Sequence, residues 1–176
     1  FIYNHNGEVL YKVAKKRGWN HFVTAEYDRD IWFYFNDDLS PVSGITKVGD
    51  KEYLFFDSQL FMADEDEDTM YIMEEEDEKE TIYIIAYNNK GEITDKRVVT
   101  HGGWYEIKGV WYYILDNLEP ADGFLTIGGK TYLFNGGVME TADESALEVR
   151  LTYDNKEDTF VIYTIDKDGV VKEHKN

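Results

Sequence analysis

The 176-residue sequence contains no cysteine, which excludes a disulfide framework, a thiolate nucleophile and a cysteine-ligated zinc site. It has only two prolines, Pro41 and Pro120, so no Pro-rich linker divides it. No apolar run approaches the roughly 18 to 20 residues of a membrane-crossing helix, and no signal peptide is visible. The expectation is therefore no membrane insertion. Basic residues are scarce: 18 Lys and Arg face 36 Asp and Glu, a formal net charge of -18. That balance excludes nucleic acid, whose phosphates need clustered cations to displace their counterions. It also excludes charge-driven docking on an anionic bilayer. Neutral sugars or cationic groups suit such a surface better.

Catalytic signatures are missing as well. There is no G-x-S-x-G elbow, no H-E-x-x-H pair and no phosphate-cradling loop. Carboxylates are too plentiful for any pair of them to specify a glycosidase. His5, His21, His101 and His174 share no ligand spacing. The expectation is a non-enzymatic chain with no cofactor and no metal. The acidic run Asp64 to Asp68 lacks the glycine and terminal bidentate glutamate of a calcium loop, so it reads as solvated. Asp166-Lys167-Asp168-Gly169 begins like such a loop but continues into apolar Val170-Val171, and reads as a hairpin turn. Glu74 to Glu80 reads as a solubilising surface, with steering of a basic partner as the alternative.

What the sequence has in abundance is aromatic side chains, 16% of all residues with 14 Tyr and 10 Phe. Such enrichment favours strands, and the rings must either pack or bind something. Their distribution is a tandem repeat. Trp32 to Asp64 aligns without a gap on Trp111 to Asp143, matching Trp32 with Trp111, Tyr34 with Tyr113, Pro41 with Pro120, and Tyr53-Leu54-Phe55 with Tyr132-Leu133-Phe134. Thr81 to Gly91 corresponds to Thr159 to Gly169, and Tyr3 to Lys12 reads like Tyr87 to Lys96. Both tails lead into a Gly-Trp pair, Gly18-Trp19 and Gly103-Trp104. The organisation expected is a tail of a preceding repeat at 1–17, a first repeat at 18–97 and a second at 98–176, cut from a longer array. The first repeat carries extra residues around Val23 to Arg29, expected to form a surface loop.

Alternation of apolar and polar residues dominates, as in Leu147, Val149, Leu151, Tyr153, and predicts strands of about five residues between Gly, Asn and Asp turns. Asn89-Lys90-Gly91, His5-Asn6-Gly7 and Lys167-Asp168-Gly169 read as hairpin turns of one kind, with glycine supplying a positive φ. The acidic stretches 64–68 and 74–80 are the places where a helical turn would be expected, flanking a strand at Met70 to Met73. The predicted fold is all-β: tandem antiparallel β-hairpins, with a short β-meander in each repeat. A lone hairpin is marginal in water, so the hairpins must stack on their neighbours.

Gly103-Trp104, Trp111-Tyr112-Tyr113, Gly123-Phe124, Gly128-Gly129-Lys130, Tyr132-Leu133-Phe134 and Gly137-Val138-Met139 resemble successive units of the cell-wall-binding repeats, which include choline-binding, glucan-binding and clostridial toxin repeats. Gly18-Trp19, Trp32-Phe33-Tyr34, Gly44-Ile45 and Tyr53-Leu54-Phe55 follow the pattern more loosely. Thr131 and Glu52 stand where that family usually places Trp, and Ile45 replaces an aromatic. The resemblance implies a non-catalytic module of an extracellular, cell-wall or cell-surface protein of a Gram-positive-type bacterium. Its implied partner is a cell-wall polysaccharide or a choline-bearing polymer.

Trp19, Trp32, Tyr34, Trp104, Trp111, Tyr113 and Tyr132 are the candidate ligand-binding residues, with Tyr53 beside them. Ring faces hold quaternary ammonium groups by cation–π attraction, and sugars stack their C–H faces on the same rings. Two readings stay open. In one, the rings are platforms between hairpins; in the other, they are the repeat's own core and the chain is a structural spacer or adhesin stalk, with a host or surface protein as partner. Exposure of the indoles separates the two.

Overall fold

The computed structural model describes the backbone at 2–3, 9–11, 16–24, 29–64, 67–76, 79–142, 148–154 and 159–174, and side chains at 16–22, 31–64, 68–75, 79–142 and 163–172. Every regular element among the described residues is a β-strand, and no helix occurs among them. The His5-Asn6-Gly7 turn, His5 itself and the side chain of His174 lie outside the described residues.

Two compact units are formed, Phe1–Asp68 with Tyr87–Thr94, and Thr69–Ala86 with Asp95–Asn176. In the first, β1 (Ile2–Tyr3) and β2 (Val9–Tyr11) pair, as do β3 (Gly18–Thr24) and β4 (Arg29–Phe35). Strands β5 (Gly44–Val48), β6 (Lys51–Phe56) and β7 (Gln59–Leu60) make a three-stranded sheet. The meander follows, β8 (Glu67–Glu76), β9 (Lys79–Asn88) and β10 (Ile93–Val99), with β9 central; the division between the units falls within its strands.

The second unit continues with β11 (Gly103–Ile107), β12 (Val110–Ile114), β13 (Gly123–Ile127), β14 (Lys130–Asn135) and β15 (Val138–Met139), joined in the order β11-β12-β15-β14-β13. A second meander closes the chain, β16 (Glu148–Asp154), β17 (Thr159–Ile165) and β18 (Val171–His174), again with the middle strand central. Every recorded pairing is antiparallel. The all-β hairpin-and-meander expectation holds.

Two details differ from the sequence reading. The extra residues near 23–29 lengthen a hairpin: Val23 and Thr24 pair with Asp30 and Arg29, extending the ladder, while 25–28 lie outside the described residues. The acidic stretches supply strand ends, since 67–76 and 79–88 are strands. Ladder pairing with the central strand satisfies their backbone groups, and this outweighs the weak strand propensity of Glu and Asp.

Alternation decides what each hairpin buries. On β12, Tyr112 and Ile114 are buried, while Trp111 is exposed and Tyr113, between the two buried residues, is only partly covered. Tyr112, Ile114 and Ile107 pack on Ile82, Ile84, Ala86 and Val99 of the meander as one apolar cluster. The Tyr112 hydroxyl donates to Thr69 Oγ1 at 2.8 Å and the Tyr71 hydroxyl donates to the Leu118 carbonyl at 2.8 Å, so these phenols are satisfied. In the first unit Leu54 and Phe55 are fully enclosed, with Phe35, Val42 and Ala63 also buried.

Candidate functional site

The register of β3 and β4 places Trp19 opposite Tyr34 and His21 opposite Trp32. Directly opposed residues of an antiparallel pair share a face, and so do residues two apart along a strand. One face of this hairpin therefore carries Trp19, His21, Trp32 and Tyr34. Trp19 stands edge-on to Trp32 (6.2 Å, 81°) and to Tyr34 (5.3 Å, 77°). From β6, Tyr53 meets the same indole at 5.0 Å and 74°, and Phe55 at 5.8 Å. His21 stacks on Trp32 at 4.2 Å and 21°, covering one face of that indole.

The second unit repeats this cluster almost ring for ring. Trp104 stands edge-on to Trp111 (6.2 Å, 82°), Tyr113 (5.0 Å, 71°) and Tyr132 (5.1 Å, 77°), with Phe134 at 5.7 Å. Glu106 occupies the cross-strand position that His21 has in the first copy. None of the four indoles is buried, and Trp111 retains 45% of its surface.

Each cluster is flanked by a meander turn of one design. Asn88 Oδ1 accepts from the backbone N–H groups of Lys90 (2.9 Å) and Glu92 (3.0 Å), and Asp166 Oδ1 accepts from those of Asp168 (3.0 Å) and Val170 (2.9 Å). Gly91 and Gly169 both take φ of 73°. Beyond the turn, Glu92 forms an antiparallel bridge with Tyr53, and Val170 forms one with Tyr132. A side chain on Gly91 would strike Leu60 and the Phe61 carbonyl within 2.8 Å; on Gly169 it would strike Met139. Glycine is required at both for the φ, and at Gly91 also for the fit, because the Phe61 carbonyl there is backbone and cannot swing aside as the Met139 side chain can.

In the first copy the indoles of Trp19 and Trp32, the ring of Tyr53, and the side chains of Leu60 and Met62 line an open cleft of about 470 Å³. Asn89, Lys90 and Glu92 form its remaining wall. Tyr34 backs Trp19 without lining the cleft. On the other side of Glu92 a polar groove of about 550 Å³ runs past Lys47, Asp50, Lys51 and Glu52. Lys51 Nζ donates to Glu92 Oε1 at 2.5 Å, and Asn88 Nδ2 donates to Oε2 at 3.4 Å.

The Lys51 hydrogen bond holds the Glu92 carboxyl below its usual range, against a small desolvation cost. The same bond raises Lys51. Burial, followed by the Glu92 charge, pushes the Tyr53 phenol up. Among the described residues no group of three or more His, Asp or Glu side chains could hold a metal ion.

Leu60, Met62, Asn89, Lys90 and Glu92 were not among the candidates. Only the repeated turn pattern, Asn89-Lys90-Gly91 against Lys167-Asp168-Gly169, signalled that this stretch has a fixed role. His21, which the sequence reading gave no role, is the stacking partner of Trp32.

Residues 102–117 match a family described as a putative cell wall binding repeat, of the choline-binding type. That stretch comprises Gly103-Trp104, Trp111-Tyr112-Tyr113 and the β11–β12 turn. No curated protein matches the sequence. Similar solved structures include choline binding protein F from Streptococcus pneumoniae, at 17% identity over 89% of this chain and 42% of that chain, with a TM-score of 0.34. CbpJ from Streptococcus pneumoniae TIGR4 is 17% identical over 90% of this chain and 59% of that one, with a TM-score of 0.33. The modular autolysin LytC from Streptococcus pneumoniae is 16% identical over 89% and 33%, with a TM-score of 0.26. The chain spans less than two thirds of the length of each. Residues 102–117 thus carry one putative cell wall binding repeat, within a chain built throughout of antiparallel β-hairpins.

Proposed function

We propose that the module is a non-catalytic, cell-surface binding unit that holds choline groups of a cell-wall polymer between its hairpins. The observation that carries this reading is the convergence of Trp19, Trp32 and Tyr53 on one open cleft, walled by Leu60 and Met62. A trimethylammonium group is cationic, apolar at its surface and has no hydrogen to donate. Ring π-systems and a thioether suit it better than hydroxyls would.

Three rings at about 0.5 to 2 kcal/mol each reach the few kcal/mol that correspond to millimolar binding. Useful retention then comes from several tethered sites on one polymer. A spacer with all aromatics in its core would require buried indoles, and none of the four is buried. The carbohydrate reading draws support from Trp111, the most exposed indole, whose 45% accessible surface offers a platform for a sugar's C–H face.

Retention of the chain on purified choline-bearing cell walls, with elution by free choline, tests the proposal. The chain should bind, and Trp32→Ala should release most of it. Elution by glucan oligosaccharides but not choline would support the carbohydrate reading. Passage through every matrix would return the spacer.

A further inference from the structure

We infer that Glu92 makes the first copy's cleft selective for a cation, through a carboxylate that the second copy, with Val170 at the same place, lacks. This rests on the aromatic-cleft reading. The two residues hold the same place in the fold: each follows the glycine of the meander turn, donates its N–H to the turn's Asx oxygen, and bridges the cluster tyrosine of the neighbouring sheet. One is a carboxylate and the other an isopropyl group, and neither is exposed on the surface at large.

The placement of the counter-ion gives the carboxylate its effect. Glu92 borders both the aromatic cleft and the polar groove behind it, whereas Lys51 borders only the groove. The ion pair is thus a dipole with its negative end toward the rings. A cation entering the cleft meets the carboxylate first and the ammonium at longer range, so attraction exceeds repulsion.

Lys90 is the other charge in the cleft wall. It is exposed at the turn, where water and salt screen it more than they screen the half-buried Glu92. In the second copy Asp168 stands at the place of Lys90, and Lys130 at the place of Lys51. The partner that would fix a carboxylate at 170 is therefore already present.

Site-resolved binding by NMR, observing the four indole N–H resonances of the full chain, tests this with two probes of equal shape. One is choline and the other is 3,3-dimethylbutan-1-ol, in which carbon replaces the charged nitrogen. At Trp19 and Trp32, choline should saturate at about fivefold lower concentration than the alcohol, the size expected for one partly screened charge. Glu92→Gln should abolish that preference and leave the alcohol's affinity within about twofold. Val170→Glu should raise whatever preference for choline Trp104 and Trp111 show in the wild type.

Equal affinities for the two probes in the first copy would overturn the inference while leaving the aromatic cleft in place, as would an unchanged preference in Glu92→Gln. Four silent indoles with both probes would overturn the cleft reading and this inference with it.

Discussion

The indole of Trp19 meets the ring of Tyr53 edge to face, 5.0 Å apart at 74°, although Trp19 belongs to the β3–β4 hairpin and Tyr53 to the β5-β6-β7 sheet. Trp104 and Tyr132 repeat the relationship at 5.1 Å and 77°. This contact joins neighbouring hairpins and shapes the cleft. A double-mutant cycle with Trp19→Leu and Tyr53→Leu, followed by urea unfolding, should give a coupling of about 0.5 to 1.5 kcal/mol. The same cycle at Trp104 and Tyr132 should agree with it closely. Additive losses would mean that the rings do not support one another.

The meander turns should be intolerant of side chains. At Gly169→Ala the obstacle beyond the positive φ is only the flexible Met139 side chain, whereas Gly91→Ala combines its positive φ with a collision on Leu60 and the Phe61 carbonyl. A loss of about 2 to 3 kcal/mol is expected for Gly91→Ala. Gly49, at φ 68° with open space around it, provides the control. Gly49→Ala should cost about 1 to 2 kcal/mol, the backbone contribution alone. Equal losses at Gly91 and Gly49 would show that the first meander turn is not seated as described.

Much of this arrangement is legible in the residues. The Gly-Trp and Trp-Tyr-Tyr spacing gives the hairpins, and Asn89-Lys90-Gly91 gives a turn that Lys167-Asp168-Gly169 repeats. Strand alternation separates Trp111 from Tyr112 but does not say which face becomes core. That depends on the meander, whose Ile82 and Ile84 meet Tyr112. The same limit hid Glu92 and Met62. Their approach to Trp19 and Trp32 comes from docking between sheets, which leaves no local period in the sequence. Acidic residues at 74–76 misdirect toward a helical turn because composition is a weaker signal than the ladder that pairs them.

Burial of Tyr112 is compulsory for the second unit. Tyr112→Phe removes a hydroxyl that donates to Thr69 and should cost about 1 kcal/mol in thermal or urea unfolding. Tyr112→Ala opens a cavity in the core and should cost about 3 to 5 kcal/mol. Trp111→Ala, two-fifths exposed on the opposite face, should cost markedly less. The reverse order would contradict the assignment of faces.

Acid should weaken the first unit through Glu92. Its folded pKa lies below the usual 4.5, so its contribution is present above that value and is lost as pH falls through the lower one. Asp38, lowered by its hydrogen bonds from Ser40, acts in the same direction. Urea midpoints should decline between about pH 5 and 3, and less steeply in Glu92→Gln. Lys51 runs the other way: its raised pKa gives stability that is complete below 10.5 and lost as pH rises through the folded value. An acid limb identical in wild type and Glu92→Gln would remove the ion pair from the account.

A crystal structure of the chain at saturating choline would show directly whether the cleft of the first copy holds the ligand. The trimethylammonium group should be bounded by Trp19, Trp32 and Tyr53, within van der Waals reach of Leu60 and Met62. Choline bound elsewhere on the surface, with that cleft holding only water, would contradict this placement.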